Sequence, residues 1–403
     1  MLELLRTNRD LRILFFAQVV SFLGDWFAFV ALAGLVDDAT GSELLVSLVL
    51  VSFSLPSFLF SPVGGPVADR FDRRLVLVAV SFAQALAALG LLLASADRIW
   101  AVFVFQGSIS ALAAFVKPAV EAAVPNLARN DDELRTANAL LGSTWGVMLA
   151  VGAALGGVFS EVFGRTACFI ANAASFVLAA ALFAMVRRPM QSHDISASRG
   201  RVRPLADMVE AVGFARRDPV VLALLASKST FGIGAGVVSQ LAVLASDVFQ
   251  AGDGGRGALI GARGVGAGLG PIIAARFTRG DVRKVLLVCG ASGVVFSVLY
   301  VGAAWAPGLV VCALLVACAH LGGGAQWMMS TYGLQMRAPD AIRGRVLAGD
   351  FAIVTLVISI ASIVAGLLAE AMGVQWAITC CAGAAGLGGV AYLLLTRRLR
   401  AAA

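Results

Sequence analysis

The sequence predicts an all-α membrane protein with twelve transmembrane helices in two pseudo-symmetric six-helix bundles. Three observations predict it. The 403-residue chain is 60% hydrophobic and only 14% charged, with a mean hydropathy of +0.90, a composition that no water-soluble surface sustains. Apolar windows of about twenty residues, the length that spans a hydrocarbon core as a helix, recur along the whole chain. A charged turn, Gly65–Arg74, returns in weakened form at Gly270–Arg279.

The windows fall at 13–36, 44–66, 75–95, 99–123, 137–160, 166–186, 219–246, 256–277, 284–305, 309–336, 346–370 and 375–395, and are numbered here as helices 1 to 12. Backbone groups in lipid must bond internally, so these are helices rather than open strands. Helix 1 has full spanning length and no small-residue cleavage site, which makes it a membrane helix and not a leader. With the N-terminus inside, all of the 31 Lys and Arg except Arg98, Arg165, Arg256 and Arg263 fall on the cytoplasmic side. That bias predicts two cytoplasmic termini in a cell inner membrane. The net charge of +7 then reflects topology and contact with anionic lipid, not nucleic-acid binding.

The longest polar segment, 187–218, separates an N-terminal half (1–186) from a C-terminal half (219–403) and reads as a cytoplasmic linker with a short surface helix near Pro204–Arg216. The six cysteines, at 168, 289, 312, 318, 380 and 381, lie in apolar windows without metal-ligand spacing and read as small buried hydrophobes. No Gly-x-x-x-x-Gly-Lys-Ser/Thr phosphate loop occurs, so neither nucleotide, metal nor other cofactor is expected. Nor is an enzyme.

The turn Gly65-Pro66-Val67-Ala68-Asp69-Arg70-Phe71-Asp72-Arg73-Arg74 resembles the signature between helices 2 and 3 of the major facilitator superfamily. A second recurrence supports duplication: Leu134-Arg135 precedes helix 5 as Ile342-Arg343-Gly344-Arg345 precedes helix 11. Facilitator halves are parallel repeats around a central cavity with substrate near the midplane. Ser21-Phe22-Leu23-Gly24-Asp25-Trp26, Ala262-Arg263-Gly264-Val265-Gly266 and Pro339-Asp340-Ala341-Ile342-Arg343-Gly344-Arg345 are similar to the branch that holds enterobactin exporters and many drug-efflux proton antiporters. Two departures stand out. The helix 5 antiporter signature has lost its proline in Gly152-Ala153-Ala154-Leu155-Gly156-Gly157, and the helix 4 signature has no arginine before Gln106-Gly107.

Ionisable residues inside a membrane are costly and therefore candidates for function. Asp25 lies thirteen residues beyond Arg12, about 20 Å along a helix, where a carboxyl group is a candidate proton carrier or a structural acid bonded to a neighbour. Lys228 in helix 7 is its counterpart in the second half, either facing Asp25 across the cavity or snorkelling to the surface. Arg263 pairs with Asp25 instead, or reaches the outer interface. His320 in helix 10 is a further coupling candidate or a plain hydrogen-bonding residue.

The resemblance gives Gly65, Asp69, Arg70, Arg73 and Arg74 a different task, a cytoplasmic gate. Asp69 would cap helix 11 near Val346, and the arginines would pair with Asp131, Asp132 and Glu133. Gly152, Gly156 and Gly157 in helix 5 offer a small-residue seam for close packing against helix 8. By the resemblance, helices 1, 4, 7 and 10 line the cavity. Its candidate lining is Trp26, Phe29 and Gln106 from the first half, and Phe231, Gln240, Gln326, Trp327, Met328 and Tyr332 from the second. Flat aromatic and flexible Met surfaces suit amphipathic ligands. Trp100, Trp305 and Trp376 read as interfacial anchors.

The expectation is a monomeric exporter of amphipathic small molecules (drug, siderophore or secondary metabolite) in exchange for protons. The alternatives are a lipid or nutrient facilitator, and a non-transporting scaffold or sensor.

Overall fold

The computed structural model describes residues 2–191, 213–278, 281–337 and 340–402. Among them, twelve helices are long and apolar enough to cross a membrane. They are α1 (Arg9–Thr40), α2 (Glu43–Arg70), α3 (Arg73–Gly90), α4 (Trp100–Leu127), α5 (Asp131–Phe163), α6 (Arg165–Ala184), α7 (Pro219–Gly234, its span continuing in short helical pieces to Val248), α8 (Gly252–Thr278), α9 (Val282–Ala304), α10 (Leu309–Arg337), α11 (Asp340–Met372) and α12 (Val374–Leu395). Most of the expected surface helix at Pro204–Arg216 lies outside the described residues; only 213–217 is seen, and it is helical.

The duplication is visible in the caps. Asp72 accepts from the Leu75 amide at the start of α3, and Asp281 accepts from the Arg283 amide at the start of α9. Each carboxylate satisfies an amide the helix leaves unpaired. Gly164 joins α5 to α6 with φ +82°, and Gly373 joins α11 to α12 with φ +85°. Each is a one-residue link in a region that side chains avoid, so only glycine makes it without strain. The charged turn is shorter than its sequence implies: α2 stays helical through Arg70, and only Phe71 and Asp72 interrupt the chain before α3.

Contacts divide the chain into two compact units, Met1–Ala39 with Ser52–Val202, and Thr40–Val51 with Arg203–Ala403. The first unit's core draws Leu14 from α1, Leu77 from α3, Ala123 and Leu127 from α4 and Phe183 from α6. The second unit's core draws Leu224 from α7, Leu286 and Cys289 from α9, Leu334 from α10 and Tyr392 from α12. The first, third, fourth and sixth helices of each six-helix repeat supply most of both cores. The start of α2 belongs with the second unit. There Ser47 Oγ lies 3.0 Å from Ser239 Oγ and accepts from Gln240 Nε2 at 2.6 Å, and Gly366 leaves room for Leu44.

Beyond Gly234, α7 breaks into the short pieces Gly236–Ser239 and Leu241–Val243 and a π-type turn, Leu244–Val248. Gly232, Gly234 and Gly236 lower helical propensity there. Gly232 and Gly236 also admit α11: a Cβ on Gly236 would stand 2.5 Å from the Ala361 carbonyl oxygen. A similar approach occurs in the first unit. Pro118 has no N–H to give the Ala114 carbonyl, and Gly64 of α2 packs against that oxygen.

Four cysteines are buried, but Cys318 and Cys380 are exposed, which corrects the reading of all six as interior. Cys318 lies on one stripe of α10 with Val310, Leu314, Met328, Tyr332 and Met336, all of them exposed.

Candidate functional site

The second unit places a charge pair inside a membrane-spanning bundle. Lys228 sits nine residues after Pro219 in α7 and is 1% exposed, so it does not snorkel. Its Nζ lies 3.2 Å from Asp350 Oδ2, donates to Thr331 Oγ1 at 3.0 Å, and stands 3.9 Å from the centre of the Trp327 ring. Phe231 meets Trp327 edge-on, with ring centroids 5.4 Å apart. Asp350 is 3% exposed, and its second oxygen, Oδ1, has no hydrogen-bond partner. A buried ion pair with an unfilled acceptor is an expensive arrangement. Asp350 was not foreseen. It lies ten residues into α11, at a depth comparable with Lys228, whereas the apolar window that opens at 346 puts it near the membrane edge.

A second polar cluster joins α8, α9 and α10. His320 Nε2 and Tyr300 Oη are 2.8 Å apart, and both side chains are buried. Phe296 and Tyr300 stack edge-on against the imidazole. Arg263 is half-buried on α8, one turn before Gly266, whose Cβ position lies 2.8 Å from His320 Cβ. The Arg263 Nε is buried without a hydrogen-bond partner. Gln326 Nε2 is satisfied by Ser227 O at 2.7 Å and Thr230 Oγ1 at 2.8 Å. With Thr230, Phe231 and Phe296 it lines a small cavity.

In the first unit, Asp25 is half-buried and has no hydrogen-bonding or ionic partner among the described residues. Its neighbour Gly24 faces Asn172 and Ser175 of α6, whose side chains occupy the space a Cβ would need. Asn172 is buried with its Nδ2 unpaired. Trp26 and Phe29 are both buried and packed edge-on at 5.5 Å, and Phe29 continues to Phe53 at 5.0 Å. Gln106 is buried against Ser110, with its Oε1 unpaired.

Several expectations change. Met328 and Tyr332 lie on the exposed stripe of α10, one helical step from Trp327 and Thr331, because helical phase separates residues that composition alone grouped. Gln240 is fully buried against Ser47. Gly152 and Gly156 meet Trp26 and Phe27 of α1. The glycines that carry close packing on α8 are Gly266 and Gly270, which lie against α10.

The gate segment also differs. The side chains of Asp69, Arg70, Asp131 and Asp132, and the surroundings of Gly65, lie outside the described residues. Arg73 is buried and donates to the carbonyls of Ala68 at 3.2 Å, Ala122 at 2.8 Å and Met190 at 3.0 Å. It ties the end of α2, α4 and the segment after α6 into one piece of the first unit. Arg74 donates to the carbonyls of Arg187 and Arg188. Glu133 accepts from Asn8 Nδ2 at 2.8 Å and from the Arg129 amide at 2.9 Å. Arg73→Ala should therefore destabilise the purified protein by about 2–3 kcal/mol in thermal unfolding, since a charged donor leaves three carbonyls behind. Arg74→Ala, at a more open position, should stay within about 0.5 kcal/mol. Equal effects would remove the clamp role from Arg73.

Twelve apolar helices of spanning length in two repeated units define a polytopic membrane protein. Residues 5–402 match the family described as transmembrane secretion effector, and the chain belongs to that family, within the major facilitator superfamily. Over 220 residues it is 27% identical to YfiS of Bacillus subtilis (strain 168), an uncharacterized MFS-type transporter. That alignment covers 54% of this chain and 52% of YfiS, so the chain spans about half the length of the curated relative it matches. Among solved structures, a bacterial homologue of the human lysosomal transporter Spinster, inward-facing and unoccupied, superposes with a TM-score of 0.77 at 14% identity over 96% of both chains. A point mutant of the nucleoside transporter NupG gives 0.77 at 11% identity over 96% of this chain and 99% of that one. At such identities the likeness is one of fold.

Proposed function

We propose that the protein exports amphipathic small molecules across a cytoplasmic membrane by proton antiport with alternating access. The carrying observation is the buried Lys228–Asp350 pair, whose Asp350 keeps one oxygen unfilled. Protonating that carboxylate would weaken its hold on Lys228, and deprotonation would restore it. Such a pair gives a bundle two arrangements selected by a proton. Asp25 in the first unit is the proton site that meets substrate, half-buried and without a cation beside it. The family's secretion description supports the outward direction. The positive-inside bias supports cytoplasmic termini, with the Gly65–Arg74 segment acting as a gate on that face. Monomeric function is part of this reading, as is a coupling role for His320.

The test uses everted vesicles with an acid interior and a pH-sensitive dye. Lipophilic cations, antibiotics and siderophores are added to wild type and to Asp25→Asn at matched expression. Compound-triggered proton release in wild type that falls to baseline in Asp25→Asn is the expected result. Release that persists in the mutant removes Asp25 from coupling. No release with any compound overturns proton-coupled export.

A further inference from the structure

Arg263 is a cation in the middle of a membrane helix, and no carboxylate lies within ion-pair distance among the described residues. It stands eleven residues after Gly252, about 16 Å along α8 by the helical rise. Its Nε is buried and unbonded. A guanidinium does not shed its proton to escape burial, and this one is half-buried with no opposite charge at ion-pair distance among the described residues. Lys228 answers the same problem with Asp350; Arg263 has no such answer among the described residues around it. What it has is a hydroxyl and an imidazole. Tyr300 and His320 share one hydrogen bond at 2.8 Å. When His320 Nε2 carries the donated proton, the Tyr300 O–H remains available for a further acceptor.

We propose that Arg263, with Tyr300 and His320, forms an anion subsite that takes the single carboxylate of an amphipathic substrate. The guanidinium fork matches a carboxylate in two parallel bonds, and Tyr300 supplies a third donor. Phe296, edge-on to the imidazole, offers an apolar wall for the rest of the ligand. A lone cation fits one negative charge; polyphosphates would need more than Arg263 supplies. This subsite deepens the transport reading and rests on it, naming an acidic amphiphile as the substrate class.

The test measures binding rather than flux, so the two readings fail separately. Full-length protein, purified in a mild detergent and chloride-free buffer, is heated with 2-naphthoate, with its neutral amide 2-naphthamide, or with chloride. Naphthoate should raise the Tm while naphthamide and chloride do not. The shift should vanish in Arg263→Gln, persist in part in Arg263→Lys, and be retained in Arg98→Gln, which alters an exposed arginine of the first unit. Equal shifts from naphthoate and naphthamide would overturn the subsite in wild type alone, whether or not a variant folds. An equal shift from chloride would reduce it to a counter-ion site, and a full shift in Arg263→Gln would also sink it. A naphthoate-specific shift lost in Arg263→Gln supports the subsite even if the vesicle assay shows no proton exchange.

Discussion

Lys228→Met is expected to destabilise the protein by about 3–5 kcal/mol, because it strands the Asp350 carboxylate in the bundle with neither oxygen compensated. The structure makes the cost specific. Lys228 Nζ holds Asp350 Oδ2 at 3.2 Å, and Oδ1 already lacks a partner. Removing both charges together, as Lys228→Met with Asp350→Leu, should recover most of the lost stability, since apolar residues of similar volume replace buried pairs with little penalty. Thermal unfolding of the single and double variants measures the difference. A double variant no more stable than the single one would mean that Lys228 matters through its contact with Trp327 and not through the ion pair. Transport should be lost in both variants if the pair is the proton-selected element, because stability restored without charge leaves nothing to titrate.

Gly270→Leu should be as damaging, and for a purely steric reason. A Cβ at Gly270 would lie 2.1 Å from the Leu321 oxygen, and one at Gly266 would lie 2.0 Å from the Ala317 oxygen. These obstacles are backbone atoms of α10, which cannot rotate away as a side chain would. The helices must separate, and overpacking of this kind costs at least about 1–3 kcal/mol. Gly268 is the internal control: nothing lies within 4 Å of its Cβ position. Gly268→Ala should be neutral or stabilising by up to about 1 kcal/mol, since alanine is the better helix former. Yield and Tm of the two variants, measured side by side, decide it. If Gly268→Ala proves as harmful as Gly270→Leu, glycine flexibility rather than close approach is what α8 requires.

The twelve helices were legible because hydrocarbon thickness sets a length that composition reveals, and the glycines of helix 5 announced close packing. Gly152 and Gly156 meet α1, a neighbour the sequence did not name, because a stripe of small residues carries no address. Phase was the second limit. Met328 and Tyr332 share the exposed face with Leu314 and Cys318, whereas Trp327 and Thr331, one position earlier in each case, reach Lys228. Asp350 escaped notice because Arg343 and Arg345 precede it, and the charged run reads as an interface; α11 in fact begins at Asp340 and carries Asp350 inward. Arg73 was legible as a charge but not as a clamp. Its partners are carbonyl oxygens, which every residue has, so no sequence pattern marks them.

Gly164 and Gly373 have a mechanical consequence. A connection one residue long has no slack, so any tilt of α5 must be passed to α6, and any tilt of α11 to α12. Each pair behaves as a stiff elbow whose two arms swing together. Bending must then be absorbed elsewhere, and in the second unit the broken stretch from Gly234 to Val248 is the compliant joint against which the α11–α12 elbow works.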